Sequence, residues 1–246
     1  MALGAAAFAA GAINSLAGGG SLLTFPLLVA LGLPPLTANV TNTLGHTPGY
    51  ASIVAGLREA LAGQRQRVLA AIPLTVLGAA GGAVLLTVCS RSTFAAVAPV
   101  LVATSAALLA LGARRDRVAG LRPATRPRES RAILAGGVLL GSAYAAFFGA
   151  GAGFIVLATL KLSYAGDLRA LNAVSRLLIC LANLVALPVL VALNPVDVGA
   201  ASVMWPTTLV GGYMGARMSL RLPERALTAI VITLALIGAV YLLVDR

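Results

Sequence analysis

Acidic side chains are the scarcest chemistry in this chain: seven Asp and Glu stand among 246 residues, against 18 Lys and Arg. All seven (Glu59, Asp116, Glu129, Asp167, Asp197, Glu224 and Asp245) fall in loops or at the ends of apolar runs, so no carboxylate pair lies inside one. A single histidine, His46, leaves no imidazole cluster to ligate a metal. The two cysteines, Cys89 and Cys180, form no spacing motif and define no disulfide framework; they read as small buried thiols. No P-loop, hydrolytic triad or intramembrane protease pair is present. Neither an enzyme nor a cofactor is expected. Charged residues total only 10%, where a soluble domain carries roughly a quarter. The net charge of +11 invites a nucleic-acid reading, but aromatics make up 5% and no basic face is interleaved with them. The basic residues sit in short loops between apolar runs, as membrane orientation requires. No nucleic-acid partner is expected.

What fills the chain instead is apolar: 59% hydrophobic residues and a mean hydropathy of +0.97. The runs 68–88, 93–112, 177–193 and 226–244 each approach the ~20 residues that a spanning helix needs. The composition is that of an all-α integral membrane protein in a lipid bilayer. The apolar stretch Met1 to Gly20 lacks the Lys or Arg of a signal-peptide n-region and is expected to stay in the mature chain.

The chain is also written twice. An offset of 133 residues, without a gap, places Gly18 and Gly20 on Gly151 and Gly153, Asn39 on Asn172, Pro73 on Pro206, Gly78 on Gly211 and Gly82 on Gly215. The shared residues set backbone breaks and polar sites, the mark of a duplicated secondary transporter. Three spans follow in each half: 36–57, 65–89 and 93–112, then 167–192, 197–220 and 224–244. Residues 1–112 and 132–246 form the two repeats, joined by a linker, 113–131, rich in Arg and carrying Pro123 and Pro127.

Each half opens with an apolar stretch interrupted by glycines, 2–32 and 132–161. If both stretches fold back, every basic residue outside the spans except Arg91 and Arg246 falls on one side. Positive residues collect on the cytoplasmic side, so the predicted fold is two inverted-topology repeats. Each is a Gly-broken re-entrant helix pair plus three transmembrane helices, with both termini outside and the linker cytoplasmic. The charge bias inverts accordingly: Arg58, Arg65 and Arg67 occupy one loop, and its equivalent near 191–200 holds only Asp197.

Polar residues within the spans gather on faces. Asn39, Asn42, Thr43 and His46 are spaced i, i+3, i+4 and i+7, one side of a helix. The second copy holds Asn172, Ser175, Arg176 and Ile179, with Asn183 a turn further. Such faces look into protein or a water-filled cavity, either as interhelical hydrogen bonds or as a substrate site. Arg176, well inside its span with no carboxylate to pair it, favours an anionic ligand unless it snorkels to the interface. Arg217 reads as a snorkelling anchor.

The breaks Gly18-Gly19-Gly20 and Gly149 to Gly153 predict new half-helices at Ser21 and Phe154. The freed N–H groups would cradle an anion, including those of Gly19, Gly149, Gly151 and Gly153, with Asn14 and Ser15 adding donors. The G-x-x-x-G pairs Gly78–Gly82 and Gly211–Gly215 read as packing surfaces. His46 titrates near neutral pH and is the candidate for a coupled proton, or for one fixed hydrogen bond.

Gly11-Ala-Ile-Asn-Ser-Leu-Ala-Gly-Gly-Gly-Ser-Leu-Leu-Thr-Phe-Pro26 and Gly32-Leu-Pro-Pro-Leu-Thr-Ala-Asn-Val-Thr-Asn-Thr43 resemble the TauE/SafE sulfite exporter family. So do Phe148-Gly-Ala-Gly-Ala-Gly153, Leu168-Arg-Ala-Leu-Asn172 and Gly211-Gly-Tyr-Met-Gly-Ala-Arg217. The resemblance implies a bacterial inner-membrane permease for sulfite, sulfonates or related organosulfur anions, with Gly18–Gly20, Asn39, Asn42, Gly151, Gly153 and Asn172 as functional positions. The expectation is an anion exporter working by alternating access. Its rivals are a transporter of another small solute and a non-transporting scaffold subunit.

Overall fold

A computed structural model describes residues 1–16, 18–119, 131–164 and 167–219. Every regular element among them is a helix. The first half contains α1 (Ala2–Leu16), α2 (Ser21–Ala30), α3 (Pro35–Gly56), the single turn α4 (Arg58–Leu61), α5 (Arg65–Val88) and α6 (Arg91–Ala119). The second contains α7 (Arg131–Phe147), α8 (Ala152–Ser163), α9 (Leu168–Leu193) and α10 (Val198–Ser219). The span expected at 224–244 and most of the linker lie outside the described residues.

Local chemistry explains the ends. α1 and α7 run out into glycines whose φ lies in the left-handed region, +71° at Gly18, +82° at Gly149 and +76° at Gly151, where a side chain is disfavoured. α3 starts on Pro35, where the missing N–H costs nothing. α10 is capped by Asp197, whose Oδ1 accepts from the Ala200 N–H at 2.8 Å, while its own N–H donates to Thr41 Oγ1 on α3 at 2.9 Å. Two expected boundaries move. α8 begins at Ala152, before Phe154, because the chain re-enters helix directly after the left-handed Gly151. α6 continues to Ala119, seven residues into the expected linker, since Ala and Arg are good helix formers and no proline intervenes before Pro123.

The opening stretch of each half is a pair of short helices rather than one long one. Gly141 faces Val156, and Gly137 faces Thr159, so α8 runs back along α7. Gly20 sits against the backbone of Ala10, so α2 starts beside the middle of α1 instead of extending its axis. Each pair then packs across the molecule. α1 lies along α10 and α7 along α5, helices of the opposite half. The G-x-x-x-G glycines make these approaches. A Cβ on Gly78 or Gly82 would collide with the carbonyl oxygen of Leu139 or Ala143, and one on Gly211 with that of Phe8. At Gly215 a Cβ would lie 2.5 Å from the Ala12 Cα. α3 and α9 touch each other at the centre and each also packs against several other helices.

The radial distribution is that of a protein solvated by lipid. Leu69, Leu77, Val84, Leu85 and Val88 expose one face of α5, and Val203, Leu209, Val210 and Met214 one face of α10. Asn14, Asn39, Asn42, His46 and Arg176 are buried inside. A water-soluble fold does the reverse. α5 and α9 are, by length and composition, able to cross a membrane. α3, at 22 residues, has the length, about 33 Å, but spends its interior on Thr, Asn and His.

Candidate functional site

The two glycine breaks meet at the centre. The Gly151 N–H donates to Gly18 O at 3.1 Å, joining the two positions that the 133-residue offset equates. Each break is then held by an asparagine of the opposite half. Asn39 Nδ2 donates to Phe147 O, the end of α7, at 2.9 Å. Asn172 Nδ2 donates to Ser15 O, near the end of α1, at 3.0 Å. These carbonyls have no helical N–H ahead of them, so the two asparagines satisfy groups that helix ends leave open.

Arg176 fills the space between the breaks. Its side chain is 0% exposed, the largest fully buried one in the described protein. Nη1 donates to Asn14 O at 3.0 Å, Nη2 to Gly153 O at 3.3 Å, and Nε to Asn172 Oδ1 at 3.1 Å. Ser175 Oγ donates to the same Gly153 O at 3.0 Å. Gly18 and Gly153 are glycine because the guanidinium lies where a Cβ would be. No carboxylate pairs with Arg176 among the described residues. The carbonyl ends of α1 and the Asn172 amide provide partial negative charge only. Three of the five guanidinium N–H groups are thereby assigned, which leaves two for an incoming acceptor.

The first half holds its break differently. The Gly20 N–H donates to Asn14 Oδ1 at 2.8 Å. That fixes the Asn14 amide, whose Nδ2 then donates to His46 Nδ1 at 3.3 Å. A ring nitrogen that accepts carries no proton, so His46 is the neutral tautomer protonated on Nε2. The Nε2–H donates to Thr24 Oγ1 at 2.8 Å, and Thr24 passes its own proton to Asn42 Oδ1 at 2.5 Å. The chain Gly20–Asn14–His46–Thr24–Asn42 links α1, α2 and α3 with every proton placed.

The structure therefore brings together Asn14, Ser15, Gly18, Gly20, Asn39, Gly151, Gly153, Asn172, Ser175 and Arg176 at the breaks, with Asn42 and His46 joined through Thr24. Thr43 turns its hydroxyl back to Asn39 O on its own helix, 3.0 Å away. Asn183 is buried two turns beyond Arg176 on α9. Ser21, the first residue of α2, is buried at the break, and Gly19 lies between the two helices. Gly149 holds its left-handed turn with its N–H donating to Tyr144 O at 3.0 Å. Thr24 is not singled out by the sequence; it follows the glycine break by four residues, one helical turn, which is the only signal that marks it. Among these site residues one side-chain polar atom stays open: Asn39 Oδ1 is buried with no partner. Its offset equivalent, Asn172 Oδ1, receives Arg176. Arg217, in contrast, is exposed and pairs with Glu59 at 3.2 Å.

Comparison with known proteins gives the family. The family described as "Sulfite exporter TauE/SafE" matches residues 3–242. The chain is 31% identical over 226 residues to the "Probable membrane transporter protein YfcA" of Escherichia coli (strain K12), covering 88% of this chain and 77% of that protein. It is 37% identical over 99 residues to the "Probable membrane transporter protein ORF9" of a Sinorhizobium species, covering 39% of this chain and 37% of that one. No solved structure matches it.

Proposed function

The chain belongs to the sulfite exporter TauE/SafE family, and from that premise we propose that it carries sulfite or a related organosulfur anion out across the bacterial inner membrane. The observation that supports this most is Arg176: a fully buried guanidinium, at the junction of two broken helices, without a carboxylate partner among the described residues. Leaving a cation there costs at least ~2.5 kcal/mol on insertion scales, and an anionic ligand offsets it. The two unassigned guanidinium N–H groups are the donors that this reading offers to an oxyanion. Ser175 and Asn172, which orient around Arg176, set the acceptors that it must exchange when the anion enters.

The two halves are read as inverted copies. Support comes from the exchanged contacts, α1 with α10 and α7 with α5, and from the reciprocal asparagines at the breaks. In this reading the hairpins α1–α2 and α7–α8 enter the membrane from opposite sides and meet at mid-depth, the arrangement in which repeat-built transporters alternate access.

Sulfite counterflow into proteoliposomes tests the reading. Wild type is expected to show saturable uptake, and Arg176→Gln to lose at least tenfold, about 1.4 kcal/mol of binding or more. Equal uptake by the variant removes Arg176 from the site. No uptake by wild type above empty liposomes excludes sulfite.

A further inference from the structure

Asn14 joins the two polar centres. Its main-chain oxygen holds Arg176, while its side-chain amide lies between the Gly20 N–H and His46. The amide has one oxygen and one NH2, so it satisfies only one protonation state of His46 at a time. With Oδ1 on the Gly20 N–H, Nδ2 faces Nδ1, and a proton on Nδ1 would set donor against donor. To accept from a charged His46, Asn14 must turn its oxygen to Nδ1, which removes the acceptor of the Gly20 N–H.

We propose that His46 is a proton-binding site coupled to the anion through this turn of Asn14, a step that rests on the anion reading of the Arg176 site. Without a ligand, Asn14 Oδ1 takes the place of any other acceptor of the Gly20 N–H. An anion held by Arg176 takes over that N–H, frees Asn14 Oδ1, and the freed oxygen accepts the Nδ1–H of a protonated His46. Nε2–H and Thr24 are unaffected, because that side of the ring donates in both states. Binding of the proton and of the anion then favour each other reciprocally, as linkage requires.

The surroundings leave the imidazole as the group that takes the proton. α1 and α2 carry no ionisable side chain. α3 adds Tyr50 one turn away, and α9, which packs on α3, adds Arg176 and Cys180. α10, packed along α3, carries Arg217 in its described length, which is spent on Glu59. No carboxylate among the described residues competes. The sign of the coupling follows from Asn14, whose single oxygen serves either the Gly20 N–H or a protonated His46 Nδ1. A monoanion and one proton carried together have no net charge, so export of that pair is indifferent to membrane voltage and is driven by the anion and proton gradients together.

His46 is the one histidine in the chain, so nuclear magnetic resonance of ring-15N histidine reads it alone. The sample is the full-length protein in nanodiscs, without a histidine tag. Without ligand, the Nε2–H tautomer is expected. Added sulfite should raise the midpoint of the His46 titration by about one pH unit, a tenfold gain in proton affinity. Arg176→Gln should abolish that gain. Asn14→Asp, which offers one oxygen to the Gly20 N–H and the other to Nδ1–H, should hold His46 charged at neutral pH with or without sulfite. An unmoved titration in a protein that still shows sulfite counterflow overturns the coupling and leaves the carrier. An unmoved titration with no counterflow overturns both.

Discussion

Gly153 shows how strictly single residues are constrained at the breaks. A Cβ there would lie 2.8 Å from the Arg176 Cζ and Nη2, so Gly153→Ala must displace the guanidinium or the start of α8. Overpacking of that kind costs about 1–3 kcal/mol, and the variant is expected to unfold earlier in detergent and to lose counterflow. Gly81, an exposed glycine on α5 with open space around it, is the control. Gly81→Ala should stabilise by about 0.5–1 kcal/mol through helix propensity alone, with flux unchanged. At this scale much was legible. The repeated glycines and Asn39/Asn172 stood out because two copies agreed on them. What could not be read was direction: both asparagines donate to helix-end carbonyls rather than into an open site. Thr24 stayed hidden because a threonine one turn into an apolar helix looks like any other. Its role depends on α3 lying opposite, which is a tertiary fact.

Elements here are joined by backbone contact more than by side-chain bulk. In lipid there is no hydrophobic gain from helix association, so close packing of small residues carries it. The α5–α7 seam at Gly78 and Gly82 and the α1–α10 seam at Gly211 and Gly215 are that case, as the G-x-x-x-G spacing led one to expect. Gly82→Val should push α7 away from α5 and lower thermal stability in detergent more than Gly81→Val, the same substitution one residue along where nothing lies within 4 Å. Equal effects would show that the seam tolerates separation. Helix ends were harder to read than helices. The arginines after residue 112 suggested a linker, yet α6 continues to Ala119, because charge alone does not stop a helix while Ala and Arg propagate it.

For the whole molecule the decisive question is orientation. With Cys89 and Cys180 replaced by serine, single cysteines at Gly63, between α4 and α5, and at Asn194, between α9 and α10, should report opposite sides of the membrane. An impermeant thiol reagent on intact cells is expected to label position 194 and spare 63. Labelling of both, or neither, would defeat the inverted arrangement. Hydropathy supplied the membrane class and loop charge the expected orientation, because both are sums over many residues. How the halves interlock was beyond them, since offset and composition say which helices correspond and nothing about which ones touch.

That interlock has a consequence for how the chain comes to exist. α1 finds its partner in α10, and α7 finds its own in α5, so neither copy carries both sides of its own seams. A first half leaving the ribosome must wait in the bilayer with the bare flanks of α1 and α5 turned to lipid until the second half arrives. On the inverted-repeat reading proposed above, the two halves form one obligate assembly and are complementary rather than autonomous. Severed within residues 120–130 and expressed together, the two pieces should reconstitute; expressed singly, each should be cleared.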